Sequence, residues 1–359
     1  MANWWKAKRE VTRVWTQISE ARLFAMGPVN RIYYDRFLKP QVRITEGNVP
    51  ELSDLAIILI YQPDGLVQST YDQLDHLISK GVAPIVVSNA PLSPSDEDRL
   101  KHKTRLILCR PNFGYDFGGY RDALLHVQDT GMEYGNLFLL NDSIWFPLYQ
   151  DCDLIDRARR ADSDVFGIYY TKKSRKTRHW HLHSYFYRFS KDLAASEVFA
   201  AYWRKMPMFQ GSKRIIIRQF EIKLTAYFTQ RGYTASGLYE AQDVRDAYAA
   251  LSDAELHEVA TRQLGSDQIM RTVFAPMKNL SPGDPDWQSA KTNVLERSKV
   301  GTYFLNAHPY VFLRELRSPI LKKNREDKFV RQRAEIFQTG LQQMLSPTIK
   351  TEVENWDPR

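Results

Sequence analysis

Short apolar runs alternate with amphipathic segments over the first half of the chain. Five of these runs have the length of a β-strand: Leu55–Tyr61, Pro84–Ser88, Arg105–Cys109, Asn136–Leu140 and Val165–Tyr170. Helical periodicity lies between some of them, at residues 67–80 and 116–127. Apolar strands that alternate with helices are typical of a parallel sheet buried on both faces. The pattern therefore predicts an α/β fold with a mostly parallel sheet flanked by helices.

Polar residues and glycines directly follow the predicted strands. They are Tyr61 and Asp64, Ser88 and Asn89, the segment 110–119 and the segment 141–143. In open α/β sheets, ligands bind beyond the carboxyl ends of the strands. We therefore expect these residues to converge on one binding site, although they are distant in the sequence.

The N-terminal segment, residues 3–26, has a helical pattern. Trp4 and Trp15 fall on one face and basic residues fall on the other. Tryptophan and arginine on an amphipathic helix fit an interfacial membrane anchor, and they equally fit a helix that packs against the domain.

Beyond Lys172 the pattern becomes mostly helical. The helical segments predicted there are residues 195–206, 221–231 and the stretch from 326 onward. Three parts are thus predicted along the chain. They are an N-terminal helical extension at 1–50, a core at 51–240 that contains the five predicted strands, and a mostly helical part at 241–359.

The chain has 359 residues, of which 43% are hydrophobic, as expected for a globular protein with a sizeable core. Two cysteines do not make a disulfide framework, which favours the cytoplasm. No apolar run approaches the ~20 residues that span a bilayer, and we identify no secretory signal. The net charge of +8 suits nucleic acid, anionic lipid or a phosphorylated substrate. Nucleic acid is disfavoured because no compact nucleic-acid-binding motif is present.

Residues 110–119 read Arg-Pro-Asn-Phe-Gly-Tyr-Asp-Phe-Gly-Gly and lead into a helix. Their glycine spacing differs from that of a dinucleotide-binding fingerprint. Glycines here allow positive φ and a close approach between the main chain and a ligand. Asp116 fits a ligand of sugar or ribose hydroxyls, or a helix N-terminal acid that caps the first turn.

Two further acids have both a functional and a structural interpretation. Asp142 follows a buried strand, between Asn141 and Ser143. It fits a ligand of Mg²⁺ or Mn²⁺ when a diphosphate supplies other oxygens, or a residue of a polar turn. Glu221 fits a general base for an acceptor hydroxyl, or an acid in the first turn of a helix.

Three histidines alternate with other residues at His179, His181 and His183. Alternation places them on one face of an extended segment, where they are able to bind zinc. No cysteine or carboxylate at a usual spacing completes a structural zinc site. We therefore expect contact with a sugar or a phosphate rather than with a metal.

At these positions the chain resembles the rhamnan synthesis protein F family, whose members are bacterial glycosyltransferases of surface polysaccharide assembly. The matching segments span roughly residues 55 to 320. They are residues 112–124, 140–143 with Pro147, 181–186, 199–203, 221–225 before Gly232-Tyr233, and 308–316.

The resemblance implies a GT-A-like, Rossmann-like fold, since the layout is also similar to that of family 2 glycosyltransferases. The Asn112/Gly114 turn stands at their sugar-nucleotide loop, residues 141–143 at their Asp-x-Asp metal motif, and Glu221 at the base of inverting transfer. Only Asp142 is acidic in the second of these segments, which puts metal dependence in question. The implied donor is a nucleoside diphosphate sugar, such as an activated deoxyhexose like rhamnose. The implied acceptor is a polysaccharide or lipid-linked glycan at the inner face of the cytoplasmic membrane.

The hypothesis that follows makes residues 51–240 the nucleotide-sugar-binding and catalytic core and residues 241–359 the part that completes the acceptor side. It also assigns a role to each candidate residue. Catalytic roles fall to Glu221 and to Asp142, which also binds the cation. Donor binding is assigned to Tyr61, Asn89, Arg110, Asn112, Gly114, Asp116, Gly118, Gly119 and Ser143. Acceptor contacts are assigned to His183, Ser184 and His308, and neutralisation of the diphosphate to Arg110, Lys173 or Arg178. The alternatives are retaining transfer on the same fold and a non-catalytic sugar-binding or scaffold protein.

Overall fold

The computed structural model describes residues 21–172, 177–210, 213–262, 267–298 and 308–357. Trp4, Trp15 and Lys173 lie outside these ranges, as does the side chain of Arg178. The predicted N-terminal helix is therefore observed only from residue 21 onward, where a helix continues to residue 33.

Eleven strands lie in the described ranges. They are β1 (Arg43–Glu46), β2 (Asp54–Ile60), β3 (Val82–Ser88), β4 (Leu106–Cys109), β5 (Leu137–Asn141), β6 (Ile144–Trp145), β7 (Val165–Thr171), β8 (His181–Leu182), β9 (Phe186–Phe189), β10 (Ala235–Tyr239) and β11 (Leu321–Lys322). Nine of them form one sheet with the order β1-β4-β3-β2-β5-β9-β7-β10, in which β8 pairs with β7. The remaining two, β6 and β11, pair separately.

Helices cover both faces of the sheet. They are α1 (residues 21–33), α2 (Gln68–Ser79), α3 (Pro94–Lys101), α4 (Tyr115–Thr130), α5 (Leu154–Arg160), α6 (Lys191–Ala194), α7 (Glu197–Lys205), α8 (Lys213–Ile216), α9 (Ile222–Thr229), α10 (Ala241–Ala250), α11 (Asp253–Arg262), α12 (Gln268–Phe274), α13 (Trp287–Arg297), α14 (Asp327–Gln338) and α15 (Pro347–Trp356). Short π-helical turns occupy Tyr34–Leu38, Ile217–Glu221 and Val311–Glu315, and 3₁₀ turns occupy Lys39–Gln41, Thr177–His179, Pro276–Asn279 and Leu341–Met344.

The predicted α/β fold is confirmed. The strands β4, β3, β2 and β5 are parallel to one another, and each corresponds to a predicted apolar run. The next strand in the sheet, β9, is antiparallel to both β5 and β7. Because two reversals restore the direction, β7 and β10 end at the same edge as β2 and β5. The start of β9 lies at that edge too.

Alternate residues of β2 enter two different hydrophobic cores. Ala56, Ile58 and Ile60 pack with the α2 side chains on one face of the sheet, while Leu55, Ile57 and Leu59 pack with α4 on the other. All seven residues of the strand are buried. Burial on both faces explains why this strand reads as a continuous apolar run rather than as an alternating one.

The C-terminal helices share the first of these cores with the sheet. Val244, Met270 and Ile336 belong to the same buried cluster as Ile58 of β2. The antiparallel pairing of β11 with β6 then fixes the chain beside the end of β5, with Lys322 opposite Ile144. This pairing brings late basic residues to the carboxyl edge of the parallel strands.

Candidate active site

Asp142 lies just beyond β5, at the end of the neighbouring strand β2. Its Oδ2 accepts hydrogen bonds from the Tyr61 main-chain N–H at 2.7 Å and from Gln62 Nε2 at 3.2 Å. Burial raises the pKa of Asp142, and these donors together with the charge of Lys323 offset only part of that effect. Asp142 is therefore an acceptor held in a fixed position between two strand ends.

Asn141 joins the end of β5 to the start of α4. Its Nδ2 donates to Asp116 Oδ2 at 2.9 Å, and its Oδ1 accepts from Ser143 N at 3.2 Å and from Ser143 Oγ at 2.5 Å. The two predicted segments, 110–119 and 141–143, thus meet at one edge of the sheet. Asp116 and Asp142 lie on the same side of the molecule, as the sequence predicts.

Tyr120 is a buried residue that sequence reasoning missed. Its hydroxyl bonds to the Asn141 side chain and lies 3.4 Å from the Ser184 carbonyl oxygen. Burial raises the pKa of Tyr120 well above its usual value, and the charges of Asp116, Asp142 and Glu221 raise it further. Three carboxylates therefore surround one phenol. Its position one helical turn after Asp116 was the signal available in the sequence.

Glu221 reaches this edge from the π-helical turn at Ile217–Glu221. Its Oε2 accepts from Ser184 Oγ at 2.5 Å and from Ser184 N at 3.3 Å, while its Oε1 lies 3.4 Å from His183 Nδ1. The antiparallel direction of β9 explains the contact, because residues 183–184 precede β9 at the edge where β5 ends. Glu221, His183 and Ser184 thus form one connected group.

The helix containing Glu221 differs from the prediction. A helical segment already begins at α8, and Glu221 closes the π-helical turn that joins α8 to α9. It is therefore not an acid of a helix first turn, and the dipole interpretation of this residue is wrong. Burial raises the pKa of Glu221, but the hydrogen bonds and charge of His183 and the Ser184 hydrogen bond outweigh it and hold the pKa at about 2.

The cluster of possible metal ligands at this edge does not include Asp142. His181, His183 and Glu221 each offer a ligand atom, and these atoms lie within 4.8 Å of one another. The sequence shows no carboxylate at a usual spacing from the histidines. The fold supplies that of Glu221, from the π-helical turn between α8 and α9. Asp142 joins no such cluster in the described ranges, and Lys323 already places a positive charge beside it. Cation binding by Asp142 together with oxygens supplied by a diphosphate stays a prediction.

Basic residues enter the site from the C-terminal part, which sequence reasoning assigned mainly to the acceptor. Lys322 Nζ donates to Ser143 Oγ at 3.1 Å and lies 3.9 Å from the centre of the Tyr185 ring. Lys323 is buried, donates to Ser69 Oγ at 3.1 Å, and has a pKa lowered by burial. The basic cluster that begins at Lys322 was the available signal.

The glycines of the 110–119 segment mainly serve packing. Gly114 has φ of 80°, as expected for a turn that requires the left-handed region. A Cβ on Gly118 would lie 2.2 Å from the Phe113 carbonyl oxygen, and one on Gly119 would lie 2.0 Å from Leu59 Cδ1. Gly118 and Gly119 therefore admit close protein neighbours, which corrects the expectation that they make room for a ligand.

Arg110 and Asn89 lie beneath the turn rather than in an open site. The Arg110 Nε atom donates to Asp122 Oδ2 at 2.6 Å, and both side chains are almost fully buried. Arg110 also donates to Asn89 Oδ1 at 2.7 Å and to the Phe113 carbonyl at 2.7 Å, and Tyr34 bonds to Asp122. Both residues thus hold the turn in place, and Arg110 is not positioned to meet a diphosphate.

The remaining candidates occupy two different environments. Tyr61 and Asn112 are exposed, with 53% of Tyr61 accessible to solvent, so both are free to meet a ligand. His308 is fully buried and its Nδ1 lies 3.0 Å from the Tyr248 hydroxyl, within the C-terminal helical layer. The structure does not bring His308 to the edge where the other candidates meet.

A family model described as rhamnan synthesis protein F matches residues 84–261. The protein y4gN of Sinorhizobium fredii, which is named as uncharacterized, is 42% identical over 355 residues, covering 98% of this chain and 92% of that protein. Virulence protein VirA of Vibrio anguillarum is 28% identical over 133 residues, covering 36% of this chain and 41% of that protein.

Solved structures of glycosyltransferases give weaker matches. Core-mannan synthase A from Aspergillus fumigatus, in a Mn/GDP form, has a TM-score of 0.26 at 11% identity, covering 45% of this chain and 66% of that one. TarS 1-349 of S. aureus, in complex with UDP-GlcNAc, has a TM-score of 0.29 at 11% identity, covering 84% and 87%. Scores this low transfer no ligand and no residue role to this chain.

Proposed function

The chain belongs to the rhamnan synthesis protein F family, and from this premise we propose that it is a glycosyltransferase of surface polysaccharide synthesis. It would move a sugar, such as rhamnose or another deoxyhexose, from a nucleoside diphosphate to a polysaccharide or lipid-linked glycan. The observation that carries the proposal is the meeting of Asn141 and Asp116 with Ser184 and Glu221 around Tyr120. Carboxylates, amides and hydroxyls concentrated at the carboxyl edge of a parallel sheet suit a sugar nucleotide.

The donor would lie across the residues that follow β2 and β5, next to the exposed Tyr61. Tyr61 offers an exposed ring to the base, and Asn112 offers a polar side chain on the adjoining turn. Lys322, held at Ser143, supplies a positive charge for the diphosphate. Asn89, Arg110, Gly118 and Gly119 would contribute indirectly by shaping the turn.

The reaction would take place between Asp142 and Glu221. Asp142 would accept a hydrogen bond from a donor sugar hydroxyl. In inverting transfer, the acceptor oxygen forms a bond to the anomeric carbon as the bond to the diphosphate oxygen breaks. The acceptor proton would pass to Glu221, and the electron pair of the broken bond would leave with the nucleoside diphosphate.

The pKa of Glu221 has to rise for that step. A carboxylate with a pKa of about 2 is a weak base, because proton transfer is most efficient when the pKa lies near the working pH. An acceptor that displaced the Ser184 hydroxyl from Glu221 would remove one of the contacts that lower this pKa. The base role of Glu221 stays a prediction.

Glu221→Gln tests that role directly. Turnover should fall by about 10² or more while donor binding survives, because only the proton acceptor is lost. Lys223→Gln, on an exposed position two residues away, is a matched control that should leave turnover unchanged. Near-normal turnover in the Glu221 variant would remove it from the base role.

The enzyme assignment itself has a separate test. Purified protein is first screened by thermal shift against nucleoside diphosphates. Nucleotide sugars that carry the most stabilising base are then tested as donors. Release of free nucleoside diphosphate without acceptor supports transferase chemistry, and the anomeric configuration of a transferred product by NMR separates inverting from retaining transfer.

One feature favours a second function, that of a non-catalytic sugar-binding or scaffold protein in polysaccharide assembly. The segment 141–143 has a single acid, and Asn141 is committed to hydrogen bonds with Asp116 and Ser143. A protein of this class would bind nucleotide sugar without ever hydrolysing or transferring it, so the donor-release assay separates the two functions.

Membrane association is the last part of the proposal. Among the residues that the structure describes, six of the ten exposed large hydrophobic side chains lie on α1 and the π turn after it: Phe24, Met26, Val29, Ile32, Tyr33 and Phe37. We call this set the apolar strip. Arg22, Arg31 and Arg36 are interspersed with it, which suits an anionic lipid surface. No helix in the described ranges is long and apolar enough to cross a bilayer. The protein would act from the cytoplasm, peripheral to the inner face of the membrane.

A further inference from the structure

We infer that His181, His183 and Glu221 form a binding site for a divalent transition-metal ion. One ligand atom from each residue lies within 4.8 Å of the other two, and all three side chains are partly exposed. The two imidazole rings have their centroids 5.3 Å apart. An ion that entered this cluster would be reached from solvent and held by two nitrogens and one carboxylate.

The fold brings these residues together from two elements. His181 lies in β8 and His183 follows it by two residues, which places both on one side of an extended segment. Glu221 comes from the last position of the π-helical turn between α8 and α9. Single π turns inside helices recur at functional sites, because the extra residue redirects a side chain. Here the turn directs Glu221 toward the histidines.

Each ligand is oriented by a second partner. His181 Nδ1 lies 3.0 Å from the His179 carbonyl oxygen, and His183 Nε2 lies 3.1 Å from Thr171 Oγ1. Ser184 holds the other oxygen of Glu221 at 2.5 Å. Metal-binding histidines usually engage one ring nitrogen in such a hydrogen bond while the other nitrogen binds the ion. The cluster therefore has the outer partners of a metal site, in addition to its ligands.

The ligand types select the class of ion. Two imidazoles with one carboxylate suit Zn²⁺, Mn²⁺, Fe²⁺ or Co²⁺, whereas Mg²⁺ and Ca²⁺ prefer sites made of oxygen alone. Three protein ligands leave positions open for water or for a phosphate oxygen. The site shares an edge with Asp142 and Lys322, since Ser184 contacts both Glu221 and Tyr120. A diphosphate bound at that edge is the natural source of such an oxygen.

This inference goes beyond the proposed function, because an ion binds whether or not a sugar is transferred. It adds a role for Glu221, in which Oε1 beside His183 binds the cation while Oε2 stays the oxygen that Ser184 contacts. The rival explanation is an ion pair between His183 and Glu221 that stabilises the fold and binds no metal.

Metal binding by the purified chain separates these explanations. Protein without a histidine tag is stripped with a chelator, checked by mass spectrometry for residual metal, and titrated with Co²⁺ and Zn²⁺. Visible absorption of Co²⁺ and calorimetry of Zn²⁺ report the binding of a single ion per chain. His181→Ala, His183→Ala and Glu221→Gln should each weaken binding by about 10-fold or more, and Thr171→Val, which alters only an outer partner, by about 10-fold.

His102→Ala is the matched control, since His102 is exposed and lies outside the cluster. It should leave the affinity unchanged. Circular dichroism of every variant confirms that loss of binding is not loss of fold. The inference is overturned if the wild-type chain binds no Co²⁺ or Zn²⁺, or if Thr171→Val and His183→Ala bind as tightly as the control. A chain that binds metal and transfers no sugar contradicts only the proposed function.

Discussion

The side-chain amide of Asn141 donates a hydrogen bond of 2.9 Å to the carboxylate of Asp116. This bond joins the end of β5 to the first turn of α4. Asn141 lies in the segment where the resemblance places a second acid. An aspartate here would face Asp116 directly. The single acid of the 141–143 segment is therefore explained by the hydrogen-bond partner that Asn141 has to satisfy.

Asn141→Asp should accordingly destabilise the fold. It replaces a donor to a carboxylate by a second carboxylate, so the free energy of unfolding at pH 7 should fall by about 2 kcal/mol. Urea denaturation measures the loss, which should shrink at pH 4.5 as the two acids come to share a proton. Asn355→Asp, on an exposed position, is the control and should change little. Equal stability of the two variants would contradict the proposed role of the Asn141 bond.

Arg110 should affect stability rather than donor affinity. Arg110→Met leaves the buried Asp122 without its 2.6 Å ion pair and with only the 4.0 Å contact to Arg121, which should cost roughly 3 kcal/mol of unfolding free energy. The double variant Arg110→Met with Asp122→Leu removes both charges and should recover much of that loss. Thermal denaturation of the single and double variants measures the recovery. A stable Arg110→Met protein with weakened donor binding would instead restore the predicted contact with the diphosphate.

His308 should make the fold less stable in acid. Burial lowers the pKa of His308 to about 4, whereas the unfolded chain has the ordinary value of about 6.5. Between these values the unfolded state binds a proton that the folded state does not bind, so stability falls as the pH drops from 7 to 4. The full effect is roughly 3 kcal/mol.

His308→Gln should flatten this pH dependence in urea denaturation at pH 7, 6, 5 and 4.5. Some slope should remain in the variant, because burial also lowers the pKa of His76 to about 4. Identical slopes in the wild-type and variant proteins would show that His308 titrates normally in the folded state.

The apolar strip should bind anionic membranes. Ile32→Ser combined with Phe37→Ser removes two of its most exposed members, at 62% and 55% accessibility. Co-sedimentation with vesicles containing phosphatidylserine should fall several-fold, since each lost side chain removes apolar area from the interface. Ile269→Ser alters an exposed apolar residue on α12 and serves as the control. If the double variant sediments as the control does, the strip is not the membrane contact.

The five apolar runs of the sequence correspond to β2, β3, β4, β5 and β7, with ends shifted by at most two residues. They were predictable because strands buried on both faces have to be apolar at every position. β9 was not predicted, although it completes the sheet between β5 and β7. It carries Arg188, a charged residue that is buried because it donates to the carbonyls of Ala158, Ala161 and Ser163. No local pattern marks those three acceptors.

The sequence by itself determined the parallel strands and the edge at which their polar ends would meet. Hydrophobic burial is a local requirement, so it leaves a pattern that is readable residue by residue. The tertiary structure alone decided the partners: Asp122 for Arg110, Lys322 for Ser143, and Glu221 for His183 and Ser184. Charges and hydrogen bonds act between groups that the fold brings within a few ångströms, and the antiparallel entry of β9 places residues 183–184 beside Glu221.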